Sequence, residues 1–159
     1  MHQVNQTDSS VLVTERIPVK ASYDVVVVGG GVAGVAAAMA VARKGKSVLL
    51  MEKSIMLGGL ATLGFVVIYL PLCNGKGRKL IGGISEEMLW ASIAHGYDTL
   101  PEAWRTKPDH IDGSQRYQTL FNGPLFAMRL DRMLLKSGPH VMFDSLFCGV
   151  IKEGNRATH

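Results

Sequence analysis

The chain has 159 residues, 47% hydrophobic and 19% charged, with a net charge of +4, which suffices for one globular domain with a real core. The longest apolar run, residues 63–72, is broken by Gly64 and falls short of the roughly 20 apolar residues of a membrane span, and the polar first ten residues lack the pattern of a secretory signal. The basic residues cluster only at Arg43/Lys44/Lys46 and Lys76/Arg78/Lys79, without interleaved aromatics, which argues against a nucleic-acid surface.

Residues 1–20 are polar and close on Pro18, an arm or short edge strand before a domain spanning 21–159. Residues 23–28 carry four successive valines, as in a central parallel strand buried on both faces. Residues 32–44 follow as an alanine-rich helix with basic residues at its end, where they complement the dipole, and Gly45 stops it. Residues 47–51 form a second apolar strand ending at Glu52, which completes one right-handed βαβ unit. A Gly-rich apolar stretch then runs from Gly58-Gly59 to Gly83. Ser85 is placed to cap a helix over 86–95, with acidic residues in its first turn. Residues 96–120 carry two prolines and no clear period, and read as loop within an insertion covering about 65–120. Pro124 stands near the start of a helix that runs to Lys136 and closes at Ser137-Gly138. Residues 140–152 read as strand, and Glu153-Gly154-Asn155 as a turn.

Gly29, Gly31 and Gly34 make a G-x-G-x-x-G between the first strand and its helix. Gly29 serves the tight turn, Gly31 admits a pyrophosphate against the backbone, and Gly34 lets helix and strand pack closely. The helix start, with Val32 and Ala33, offers free N–H groups and a partial positive charge to the phosphates. Glu52 lies about 20 residues on, placed to accept from the adenosine ribose hydroxyls and to repel a 2′-phosphate, with Lys53 beside it. The pattern reads as a dinucleotide site; the glycines leave FAD and NAD both open.

The run YDVVVVGGGVAGVAAAMAVARKGKSVLLMEKSIMLGGLATLG resembles the N-terminus of FAD-dependent oxidoreductases of the glutathione-reductase-like superfamily. The resemblance continues through GGISEEMLW and FNGPLFAMRLDRMLLKSGPHVMFDSLFCGVIKEGNR. It implies FAD as cofactor. Gly58 and Gly59 occupy the family's Gly-Gly doublet, with Leu60, the small residue Ala61 and Thr62 after it, near the pyrophosphate and flavin side, and Phe147 the adenine contact through main-chain atoms. It also implies the N-terminal part of a doubly wound, Rossmann-like α/β FAD-binding domain with a partly helical insertion. Family members are longer and carry a second flavin motif. A companion polypeptide or further segment is therefore expected to complete the fold, in an oligomeric assembly.

The implied activity is hydride transfer between a small organic substrate and FAD. An NAD-binding, thiazole-synthase-like enzyme and a non-catalytic nucleotide-binding subunit are the other readings. Cys73 and Cys148 form no CxxC, so idle thiols in a reducing cytoplasm and no metal site are expected. Tyr69, Cys73 and Tyr97 are weighed as pocket lining against core, His95 as a helix end, and His110 as a loop residue facing substrate. HExxH and GxSxG are absent, so no catalytic residue is assigned.

Overall fold

The computed structural model describes residues 3–7, 10–70, 72–76, 78–94, 100 and 118–159. They fall into two packing units, residues 23–148 and residues 1–22 with 149–159. In the smaller unit, β1 (Gln3–Thr7) and β2 (Ser10–Thr14) form an antiparallel hairpin.

The larger unit begins with β3 (Val25–Val28), α1 (Val32–Ala42) and β4 (Val48–Met51), β3 and β4 being parallel with Val25 opposite Val48. Asp24 fixes this register at the base. Its carboxylate accepts from the Ser47 N–H and hydroxyl, both at 2.8 Å, and its own N–H donates to Ser47 Oγ at 2.9 Å. The Ser47 bonds hold the Asp24 carboxyl below its ordinary range. β5 (Ile68–Tyr69), α2 (Ile84–Ile93), β6 (Thr119–Leu120), α3 (Gly123–Ser137) and β7 (His140–Met142) follow. β5 pairs antiparallel with β6, and β7 joins β4 in parallel, giving the sheet order β3-β4-β7.

The core lies on one face of this sheet, beneath the three helices. Strand alternation points Val48 and Leu50 toward it, where they meet Val35, Ala38 and Met39 of α1, Met88, Leu89 and Ile93 of α2, and Phe126, Leu130 and Leu134 of α3. Phe121 stacks edge-on with Phe126 at 5.3 Å and Tyr69 leans on Phe121 at 5.0 Å. Asn122 caps α3, its side-chain oxygen accepting from the Leu125 N–H at 3.0 Å, and Gly138 closes it at φ +92. Arg43, at the end of α1, makes a two-pronged bond to Glu87 of α2 at 2.6 and 2.7 Å.

Three sequence expectations are corrected here. β3 is an edge strand, not a central one buried on both faces: Val26 and Val28 are 50% and 53% exposed, because no described strand flanks it on its far side and no described layer covers its second face. α2 begins at Ile84 with Gly83 as its N-cap, so Ser85 sits inside the first turn instead of capping it. The strand over 140–152 ends at Met142, because Asp144 takes a left-handed φ of +51 and turns the chain out of the sheet. In the smaller unit, β8 (Lys152–Glu153) and β9 (Arg156–Ala157) form a hairpin across Gly154 at φ +59, in agreement with the turn read there.

Candidate functional site

The chain leaves β3 through Gly29, whose φ of +101 suits glycine and whose N–H continues the ladder to Met51 O at 2.8 Å. A Cβ on Gly34 would stand 1.8 Å from Gly29 O, so the helix approaches the strand more closely than any side chain allows. Gly31 differs. Its φ is −64, open to any residue, and a Cβ there would meet nothing within 4 Å. The space beside Gly31 is open, and the protein's own packing gives no reason for glycine. The first i→i−4 bond of α1 runs from Val35 N–H to Gly31 O at 2.9 Å, so the N–H groups of Val32, Ala33 and Gly34 precede the helical bonding pattern and aim out of the helix start.

The glycine doublet packs directly on this loop. Gly58 N–H donates to Gly30 O at 2.8 Å, Gly31 and Gly58 form a parallel bridge, and a Cβ on Gly59 would lie 3.2 Å from Gly31 Cα. Gly58 and Gly59 have φ of +101 and +55 and enter the short 3-10 turn Gly59–Ala61. Thr62 is 2% exposed, and its hydroxyl donates to Leu57 O at 2.6 Å. That hydroxyl therefore ties the doublet's turn together from inside. Leu60 projects outward at 75% exposure, and Ala61 is half-buried.

Glu52 reaches the same loop from the end of β4. Oε2 accepts from Gly30 N–H at 2.5 Å and Oε1 from Ser54 N–H at 2.7 Å, and the residue is only 9% exposed. Burial pushes this carboxyl up, but the bonds from Ser54 and Gly30 and the nearby Lys53 charge outweigh it, and the net displacement is downward. Each carboxylate oxygen keeps a further lone pair for an incoming donor. The backbone around Glu52 is fixed by β7 and its exit: Glu52 N–H donates to Met142 O (2.8 Å), Ser145 N–H to Glu52 O (3.1 Å) and Asp144 N–H to Ser54 O (3.2 Å). Asp144 and Ser145 thus meet the Glu52 segment, while Phe147 lies two residues further on, in an irregular stretch, 46% exposed. Lys53 is exposed.

The sequence reading missed Gly30 and Ser54. A Cβ on Gly30 would lie 2.7 Å from Leu57 Cδ2 and 3.0 Å from Glu52 Oε2. The available signal was a run of three glycines where the motif uses two. Tyr69 and Cys73 belong to the core, and burial pushes both the Tyr69 hydroxyl and the Cys73 thiol up. Both cysteines are free thiols. His95, Tyr97 and His110 lie outside the described residues. Among the described residues no group of three His, Cys, Asp or Glu side chains is arranged for a metal, and no helix is long and apolar enough to cross a membrane.

Residues 24–159 match the family model described as FAD dependent oxidoreductase. No curated protein matches the chain. Among solved structures, the Diels-Alderase PyrE3 of pyrroindomycin biosynthesis aligns at a TM-score of 0.50 and 14% identity, over 83% of this chain and 27% of that one. The THI4 protein of Thermovibrio ammonificans aligns at 0.47 and 20% identity over 76% of this chain, and a geranylgeranyl bacteriochlorophyll reductase-like protein of Thermoplasma acidophilum at 0.47 and 22% over 85%. The chain spans 38% and 33% of the lengths of these last two.

Proposed function

The chain belongs to the FAD-dependent oxidoreductases, with FAD as cofactor and a Rossmann-like α/β fold, and from that premise we propose that it is the dinucleotide-holding part of an enzyme that oxidises or reduces a small organic substrate. The observation that carries this is the open side of Gly31. Two glycine loops touch there, a Cβ would fill space the protein leaves clear, and the outward N–H groups of Val32, Ala33 and Gly34 border it. Helix-start donors of this kind suit a pyrophosphate.

The residues present fit FAD. Val32, Ala33 and Gly34 would bind the pyrophosphate through main-chain N–H groups. Glu52 would accept from the ribose hydroxyls while its bonds to Gly30 and Ser54 keep it ionised and oriented. Gly58 and Gly59 bring the second loop in without side chains, and the Thr62–Leu57 bond holds that loop in shape. Lys53 and the main chain at 143–147 would flank the adenosine end. When bound, FAD supplies the hydride chemistry; the protein binds, orients and tunes it.

The finer placement in the glutathione-reductase-like class, a cytoplasmic location that suits two free thiols, and a companion polypeptide completing an oligomeric assembly belong to the same proposal. The test is anaerobic titration of the intact protein with a panel of small organic donors, followed by visible absorption. Bleaching of the flavin bands is expected. A spectrum without flavin bands, with NAD released on denaturation, would favour the NAD-binding reading. A bound flavin that no donor reduces would favour the non-catalytic subunit.

A further inference from the structure

A groove of about 310 Å³ runs between α2 and α3, lined by Ala91, Ala94, Arg129, Arg132, Met133 and Lys136. That volume falls at the lower end of the range for small-molecule sites. The four residues from α3 recur at the three- and four-residue spacing of one helical face. It is not the face that carries Phe126, Leu130 and Leu134 into the core, although Met133 also packs against that core. The two residues from α2 are alanines, so the wall they form is methyl groups, and space remains where longer side chains would close the groove.

Charge along this face has one sign. Arg132 and Lys136 stand one turn apart, both exposed, and among the described residues neither is held in an ion pair. Like charges at this spacing destabilise a helix. Nearby acids do not offset them. Glu86 and Glu87 of α2 are taken by Lys79 and Arg43, and Asp131, the only acid of α3, forms no ion pair among the described residues. The helix dipole accounts for Lys136 in the last turn, but Arg132 lies a turn earlier, beyond the reach of that effect.

We propose that this groove binds a small organic phosphate monoester, its dianionic head between Arg132 and Lys136 and its apolar body against Ala91, Ala94 and Met133. Two cations without partners match a doubly charged head, where a monocarboxylate leaves one of them unmet. The guanidinium fork fits phosphate oxygens two at a time, and the ammonium adds a point charge. The methyl wall adds affinity only for a ligand that carries apolar surface. The groove shares no residue with the glycine loops, so the proposal goes beyond the cofactor reading and does not rest on it.

Isothermal titration calorimetry of the protein as purified tests this, with phenyl phosphate and inorganic phosphate as probes. One phenyl phosphate per chain is expected, bound more tightly than inorganic phosphate. Arg132→Gln combined with Lys136→Gln should weaken phenyl phosphate by about 10-fold or more and leave the flavin content unchanged. Ala91→Leu fills the groove and keeps both charges; it should weaken phenyl phosphate and spare inorganic phosphate. Lys46→Gln, exposed and outside the groove, should change neither. No binding of phenyl phosphate, or equal affinity for the two probes, overturns the proposal. So does undiminished affinity in the double variant, which would put the probe elsewhere, as at the start of α1. An equal loss in Lys46→Gln would reduce the effect to diffuse attraction by a basic surface, and overturns it too.

Discussion

Gly31 and Gly34 belong to one motif but answer to different masters. Gly34 is required by the fold, since a Cβ there meets the Gly29 carbonyl, whereas the space beside Gly31 stays clear. Gly34→Ala is expected to cost more than about 3 kcal/mol in urea unfolding, because backbone must move to admit the methyl group. Gly31→Ala should change stability by less than about 1 kcal/mol, yet strip the purified protein of flavin absorbance. Equal flavin content in Gly31→Ala and wild type would remove the main support for a ligand at this loop. Glu52 permits a pH experiment. Its folded pKa is depressed, so its contribution is complete above the unfolded value and fades as pH falls through the folded one. Glu52→Gln sets an amide NH2 against one of the Gly30 and Ser54 N–H groups and should cost about 1–3 kcal/mol at pH 7. The gap between wild type and variant should close as the medium is acidified past the ordinary carboxylate range; a gap constant with pH would show that the charge is not what these bonds use.

Elements were legible where local chemistry decides them. The four valines, the alanine run closed by glycine, and Asn122-Gly123-Pro124 before an amphipathic stretch each specify structure within a few residues. Asn122→Ala should accordingly lower stability by about 1 kcal/mol through loss of the α3 cap, measured by the shift of the urea midpoint. Three features were not legible, because they depend on what lies elsewhere in space. Whether β3 is central or at an edge depends on its neighbours, not on its valines. Asp144 leaves the strand because its main chain and that of Ser145 are claimed by Ser54 and Glu52, some ninety positions earlier. Gly83 precedes Ser85 as helix cap although serine is the usual choice. At the site, the glycine motif, the doublet and Glu52 were all readable from spacing. The Gly30–Glu52 bond was not, since it needs β4 to deliver the carboxylate to the loop's main chain.

At the scale of the whole molecule, a one-sided core explains the surface. Among the described residues three helices cover one face of the sheet, and Val26, Val28 and Met142 on the other are about half exposed. Val26→Asp should therefore leave the chain's urea unfolding midpoint nearly unchanged, because half of the Val26 side chain is already exposed. A midpoint lowered in the isolated chain would mean that Val26 is buried there. The central claim remains that main-chain donors at the start of α1 hold FAD. A crystal structure of the flavin-loaded protein measures it most directly. Pyrophosphate oxygens within about 3 Å of the Val32 or Ala33 N–H groups are the predicted result, and a bound FAD whose pyrophosphate lies away from the helix start would contradict it.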